Sequence, residues 1–150
     1  MPNPLYMDSQ KELAWNMRRT LTDWLVQVHV RFRLMPETLF LCINIIDHFL
    51  SVCVMLLVKL QLVGITCLFI TTKVKEIVSP SILHFLYCTD SSYTENQILQ
   101  AKQYVLKMLD WNLSYPNPIH FLRWVSKADK YDVKARMITK YLLEISCLEW

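Results

Sequence analysis

Apolar residues fill nearly every position from 52 to 73, VCVMLLVKLQLVGITCLFITTK, where only Lys59 and Lys73 are charged. On either side the hydrophobic pattern has helical spacing instead. Ser9 followed by Glu12 reads as a capping box opening a first helix toward Arg33, with Leu21, Trp24, Leu25 and Val28 on one stripe. Met35 and Pro36 end it and begin a second, because proline suits a first helical turn and Glu37 is favourable beside the helix dipole; this helix runs to about 51. The apolar run predicts a third helix over 56 to 73. Gly64 inside it costs about 1 kcal/mol against alanine in an exposed helix, which fits a close approach by a neighbour. Ser79 and Pro80 mark a short fourth helix to about 88. Thr94 with Gln97 is a second capping box, opening a fifth helix through Ile98, Tyr104, Val105, Leu106 and Leu109.

The strongest break in the pattern is LSYPNP, residues 113 to 118, where two prolines bracket Asn117, a residue able to cap the next helix. Helical patterns resume over 119 to 127 and 132 to 147. Two helices cannot enclose a core alone, so they must lie on the first five, pair with a partner, or begin a second bundle.

The apolar run is long enough to cross a bilayer, but Lys59 and Gln61 lie near its middle, and a central lysine costs about 2.5 to 3.5 kcal/mol on insertion. The flanking segments carry apolar stripes that need a partner, and a helix hydrophobic nearly all round is what a bundle wraps about. Bundle centre is the reading that satisfies both, and no membrane is expected. Composition agrees: the chain is 53% hydrophobic with one glycine and six prolines, enough apolar matter for a sizeable core and too little turn chemistry for a multi-stranded sheet. The expected fold class is all-α.

A net charge of +3 from scattered cations makes nucleic acid a poor partner. The five cysteines, with no CxxC spacing and four of them inside apolar helical patterns, are expected to be reduced thiols rather than disulfides or zinc ligands. The opening residues show no basic segment followed by an apolar run, hence no secretory signal. No glycine-rich phosphate loop, HExxH motif or spaced Ser/His/Asp set is present, so neither catalysis nor a cofactor is expected. Asp23, Asp47 and Glu37 are better read as structural carboxylates near helix starts or arginine than as an acid–base group.

The segments MRRTLTDWLVQVH, PETLFLCINIIDHFLS, KLQLVG, YTENQIL and LDWNLSYPNPIHFLR resemble the cyclin box of B-type mitotic cyclins, the fungal ones most of all. The resemblance implies a lead-in over 1–15, a five-helix cyclin fold over 16–112 around the apolar helix, a linker over 113–118, and over 119–150 the first part of a second, here incomplete, cyclin fold. It implies a regulatory subunit, found in nucleus and cytoplasm, that binds and activates a cyclin-dependent Ser/Thr kinase in G2/M control. Such a subunit fixes the kinase helix that pairs the catalytic lysine and glutamate. A second function class stays open: a cyclin-fold binding module that captures RxL-type peptides or another protein without activating a kinase.

Residue by residue, the resemblance implies three constellations. Arg18 and Asp47 correspond to an ion pair joining the first two helices. Met17, Leu21, Trp24 and Gln61 correspond to a groove for RxL-type segments, with 17, 21 and 24 on one helical face; without the family this stripe would read as core. Thr20 replaces a usual aliphatic residue there, and Gln27 replaces a frequent glutamate, which weakens attraction for the motif's arginine. Lys73, Lys75 and Lys102 fall at the kinase interface. Lys73 matches the family, whereas Lys102 and Lys75 stand where glutamate is usual and Val74 where an aromatic is; His48 and Trp124 take usual arginine positions. A reversed charge at a desolvated interface leaves a partner unpaired, at a cost of about 2 to 5 kcal/mol, so kinase affinity is expected to be weakened. Two RxxL matches, 18–21 and 31–34, fall within predicted helices and receive no role.

Overall fold

In the computed structural model, which describes residues 2–128, 130 and 132–149, the chain is helical throughout. Among the described residues seven α-helices succeed one another: α1 (Trp15–Arg31), α2 (Pro36–Val52), α3 (Leu60–Lys75), α4 (Ile82–Cys88), α5 (Glu95–Met108), α6 (Pro118–Ala128) and α7 (Val133–Leu148). Among the described residues there is no strand.

The apolar run is the middle of the bundle. Helix α3 packs against α1, α2, α4 and α5, and buries an unbroken series from Leu62 to Thr72. Two of its buried threonines cost little there, because Thr71 and Thr72 donate back to the Leu68 and Phe69 carbonyls at 2.9 and 2.8 Å, whereas the Thr66 hydroxyl is buried without a partner among the described residues. Gly64 faces α1: a Cβ built on it would lie 2.7 Å from Leu21 Cδ1, so its bare backbone is what lets α1 come close. Lys59 stays outside, in a 3-10 turn (Leu57–Lys59) that precedes the helix. Expecting α3 from residue 56 therefore overshot by one turn.

The expected capping box at Ser9 does not form. The Ser9 hydroxyl donates to the Tyr6 carbonyl within a 3-10 turn (Tyr6–Ser9), and Glu12 accepts from the Leu57 amide at 3.0 Å, so both side chains are engaged outside any helix. The lead-in is instead pinned by Gln10, which is buried. Its amide donates at 2.7 Å to the Leu50 and Cys53 carbonyls, two acceptors that the end of α2 leaves unpaired, and its oxygen accepts from the Met55 amide. Helix α1 accordingly starts at Trp15 rather than near Ser9. The second capping box is present in full: Thr94 Oγ1 accepts from the Gln97 amide and Gln97 Oε1 accepts from the Thr94 amide.

Among the described residues, four helices are followed by left-handed residues that are not glycine. Arg33, Asp90, Ser91, Asp110, Trp111 and Lys130 all have φ between 50° and 57°, and at the ends of α1 and α5 the Leu34 and Trp111 amides reach back to His29 and Leu106.

Helices α6 and α7 lie on this bundle through polar links more than through core. Glu37, buried at the start of α2, pairs with Arg123, and its carbonyl accepts from Asn117 Nδ2 at 3.0 Å. Asn117 also caps α6, accepting from the Ile119 amide. Helix α7 has no buried residue, and the pair leaves Phe121, Trp124, Val125, Met137, Ile138, Tyr141 and Leu142 more than half exposed.

Candidate functional site

Three places on the bundle bring together the residues singled out in the sequence. The first joins four segments. Arg18 grips Asp47 with two parallel bonds, Nε to Oδ1 at 2.6 Å and Nη2 to Oδ2 at 2.8 Å, the planar fork suited to a carboxylate. Tyr6 donates its hydroxyl to the same Oδ1 at 2.7 Å, and Arg18 Nη1 donates to the Cys147 carbonyl at 3.1 Å. The lead-in, α1, α2 and the end of α7 thus meet at one buried guanidinium. Burial alone would lower the Arg18 pKa, but the bonds and charge of Asp47 outweigh it and raise the pKa above its ordinary value. Burial, then the Asp47 charge, pushes the Tyr6 phenol far up and keeps it a donor.

The second is an apolar groove of about 420 Å³ between α1 and the entry to α3. Met17, Leu21, Trp24 and Gln61 all line it, together with Thr20, Leu57 and Leu60. The last two were not singled out in the sequence. Leu57 reaches the groove because residues 57–59 turn before α3 begins, which its place inside a uniformly apolar run does not disclose. Gln61 is held at the rim by the Tyr93 hydroxyl, which donates to its Oε1 at 3.4 Å.

The third is the face shared by the end of α3 and the middle of α5. Lys73 Nζ and Lys102 Nζ sit 5.4 and 5.9 Å from the centre of one ring, that of Phe69. Cation–π attraction of this kind compensates part of their mutual repulsion. Neither ammonium has a carboxylate within 4.0 Å among the described residues. Lys75 is set apart from this pair: it is half-buried and lines a cleft of about 640 Å³ with Leu41 and residues 113–117. Beside the lysines stand Val74, Ile77 and Val78, with Ile77 98% and Val78 84% exposed. These last two apolar residues were also missed; their signal is an apolar pair lying directly before the Ser79–Pro80 break, where no helix stripe accounts for it. Glu76 between them turns inward and is already engaged, accepting from the Met35 amide and the Thr38 hydroxyl. Of the other positions noted in the sequence, His48 is half-buried on α2 and Trp124 is 75% exposed on α6.

The fold is an α-helical bundle with an apolar groove on one side and an exposed apolar and cationic face on another. Its family is shown by sequence: residues 1–114 match the model of the cyclin N-terminal domain, and the chain belongs to the cyclins. It is 59% identical over 149 residues to the G2/mitotic-specific cyclin cdc13 of Schizosaccharomyces pombe, and 51% identical over 149 residues to the G2/mitotic-specific cyclin-B of Emericella nidulans. Each match takes in 99% of this chain and 31% of the relative, so the chain spans about a third of the length of the curated relatives it matches. Among solved structures, a viral cyclin from herpesvirus saimiri superposes with a TM-score of 0.81 over 93% of this chain and 61% of that one. At 19% identity that likeness bears on the fold alone.

Proposed function

We propose that this chain is the regulatory part of a G2/M cyclin: it binds a cyclin-dependent Ser/Thr kinase and activates it by holding one of its conformations, performing no chemistry itself. The observation that carries the reading is the α3–α5 face. Exposed Ile77 and Val78 offer apolar anchors, and Lys73 and Lys102 are already ordered over Phe69, beside helices that also build the core. Such a surface contacts a partner with little loss of its own freedom, and differential contact is what shifts a kinase between conformations. The groove at Met17, Leu21, Trp24 and Gln61 serves, in this reading, to dock short apolar segments of substrates or inhibitors, of the kind that includes RxL. Nucleic acid and membrane have no part in it, and the protein works in nucleus and cytoplasm.

A second reading is favoured by one observation, the cation at 102. If the kinase presents cations there, the chain binds peptides or another protein and activates nothing. Phosphorylation of a histone-like substrate by a purified mitotic kinase, with and without this chain, separates the two: stimulation supports the first, and none at saturating chain supports the second. Titration of an apolar docking peptide tests the groove independently.

A further inference from the structure

The groove does not end at Trp24. A smaller hollow of about 170 Å³ lies beyond it, lined by Trp24, Gln27, Val28, Arg31 and Cys88. Positions 17, 20, 21, 24, 27, 28 and 31 succeed one another at helical spacing, so the two hollows are successive stretches of one face of α1 with the indole between them. The first stretch is apolar, and the second ends on a charge. The Arg31 guanidinium is held 5.3 Å from the centre of the Tyr87 ring, so it is placed before any ligand arrives. No carboxylate lies within 4.0 Å of it among the described residues.

Two carboxylates stand nearby, neither of them lining the hollow. Asp23 is one turn before Gln27 and accepts from that amide at 3.4 Å, and Asp90 is close enough to act on the Cys88 thiol together with Arg31. Gln27 brings no charge of its own to the hollow. An arginine of a docking segment entering here would meet a fixed cation, and a carboxylate would meet its counter-ion.

We infer that the docking segments this groove prefers carry an acidic side chain, not an arginine, at the end that reaches Arg31. The inference rests on the docking reading above and adds the class of peptide selected. Spacing comes from geometry. Leu21 and Arg31 are ten helical residues apart, roughly 15 Å at 1.5 Å per residue. An extended peptide covers that in about four or five residues at 3.3 to 3.6 Å each. The favoured segment is an apolar anchor with Asp or Glu about four residues away.

The test is a fluorescence anisotropy titration of the chain at low salt with labelled synthetic peptides. Each has a Leu-x-Phe anchor in an otherwise uncharged background, with Glu, Gln or Arg four residues before or after it. Expected is the order Glu, Gln, Arg from tightest to weakest, with Glu ahead of Gln by about two- to fivefold, the range of one exposed ion pair. Arg31→Gln should abolish the Glu preference and Arg31→Glu should reverse the order, while Trp24→Ala weakens all three alike. If Arg is tightest on the unaltered chain, or Glu and Gln bind equally, the inference is overturned and the docking reading stands. If no peptide binds and Trp24→Ala changes nothing, the docking reading falls and takes the inference with it.

Discussion

Glu76, the residue that closes α3, is the cap of α2. Its Oε1 accepts from the Met35 amide at 2.7 Å and the Thr38 hydroxyl at 2.5 Å, supplying across the bundle what no side chain supplies at the start of α2 itself. Glu76→Ala should therefore lower the unfolding free energy by about 1 kcal/mol, the usual size of a lost cap, with Glu76→Gln losing less. Urea titration of both variants against the parent is the check; an unaltered midpoint for Glu76→Ala would show that the cap contributes nothing.

Arg18 and Asp47 hold four segments through one buried pair. Removing one member strands the other away from water, so Arg18→Met and Asp47→Asn should each cost about 3 to 5 kcal/mol, while an apolar replacement of both costs less than either. The same denaturation experiment measures all three. In addition, Arg18→Met should speed amide exchange at the end of α7, which leans on Arg18 through the Cys147 carbonyl.

The charges at 75 and 102 decide between the two functional readings. Lys102→Glu with Lys75→Glu should tighten binding to a mitotic cyclin-dependent kinase by calorimetry, if these positions meet cations there. Unchanged affinity would place both outside the interface. Weakened affinity would mean that the kinase presents carboxylates to this cyclin.

Gly64 predicts a separation of stability from docking. In Gly64→Ala the new methyl meets Leu21 Cδ1 at 2.7 Å and Cγ at 3.3 Å, so this buried side chain must shift, and the gain of about 1 kcal/mol for alanine over glycine in a helix offsets that cost. Stability should change little. Leu21 lines the groove, however, so peptide titration should show weakened docking.

Two core thiols, Cys42 and Cys67, and half-buried Cys147 set a pH dependence. Burial raises the pKa of Cys42 and Cys67 above their ordinary value, and that of Cys147 to about 12. Above the ordinary thiol value near 9 the unfolded chain loses these protons while the folded chain keeps them, so the unfolded state gains. Unfolding free energy should be level with respect to these groups below pH 9 and fall as pH rises toward 12. Urea midpoints from pH 8 upward test the trend, and replacing both Cys42 and Cys67 by alanine should make it less steep, with Cys147 and Tyr6 still contributing. At pH 8 a thiol reagent should reach half-buried Cys88 well before Cys42 or Cys67.

Helix order and the burial of α3 were legible because periodicity is a property of a segment and does not depend on its neighbours. The Thr94–Gln97 box and Asn117 read correctly for the same reason, each being satisfied within a few residues. Ser9 and Glu12 have the same spacing and failed because distant groups competed: the lead-in is fixed by Gln10 reaching to the end of α2, a contact 40 residues away along the chain. The groove residues on α1 were visible as a stripe, but stripe and core look alike in sequence. Leu57 and Leu60 join them only because the chain turns before α3. Ile77 and Val78 escaped notice because exposure is decided by what the rest of the fold fails to cover.

The left-handed residues at the helix ends have one last consequence. A chain with a single glycine, spent on letting α1 approach α3, places Arg33, Asp90, Ser91, Asp110, Trp111 and Lys130 in left-handed backbone shapes. At Arg33 and Trp111 this strain is about 1 to 2 kcal/mol, and it is smaller at the aspartates, whose short polar side chains tolerate the left-handed region. The scaffold is therefore less robust than its own architecture permits, and glycine at Arg33 or Asp110 would harden it.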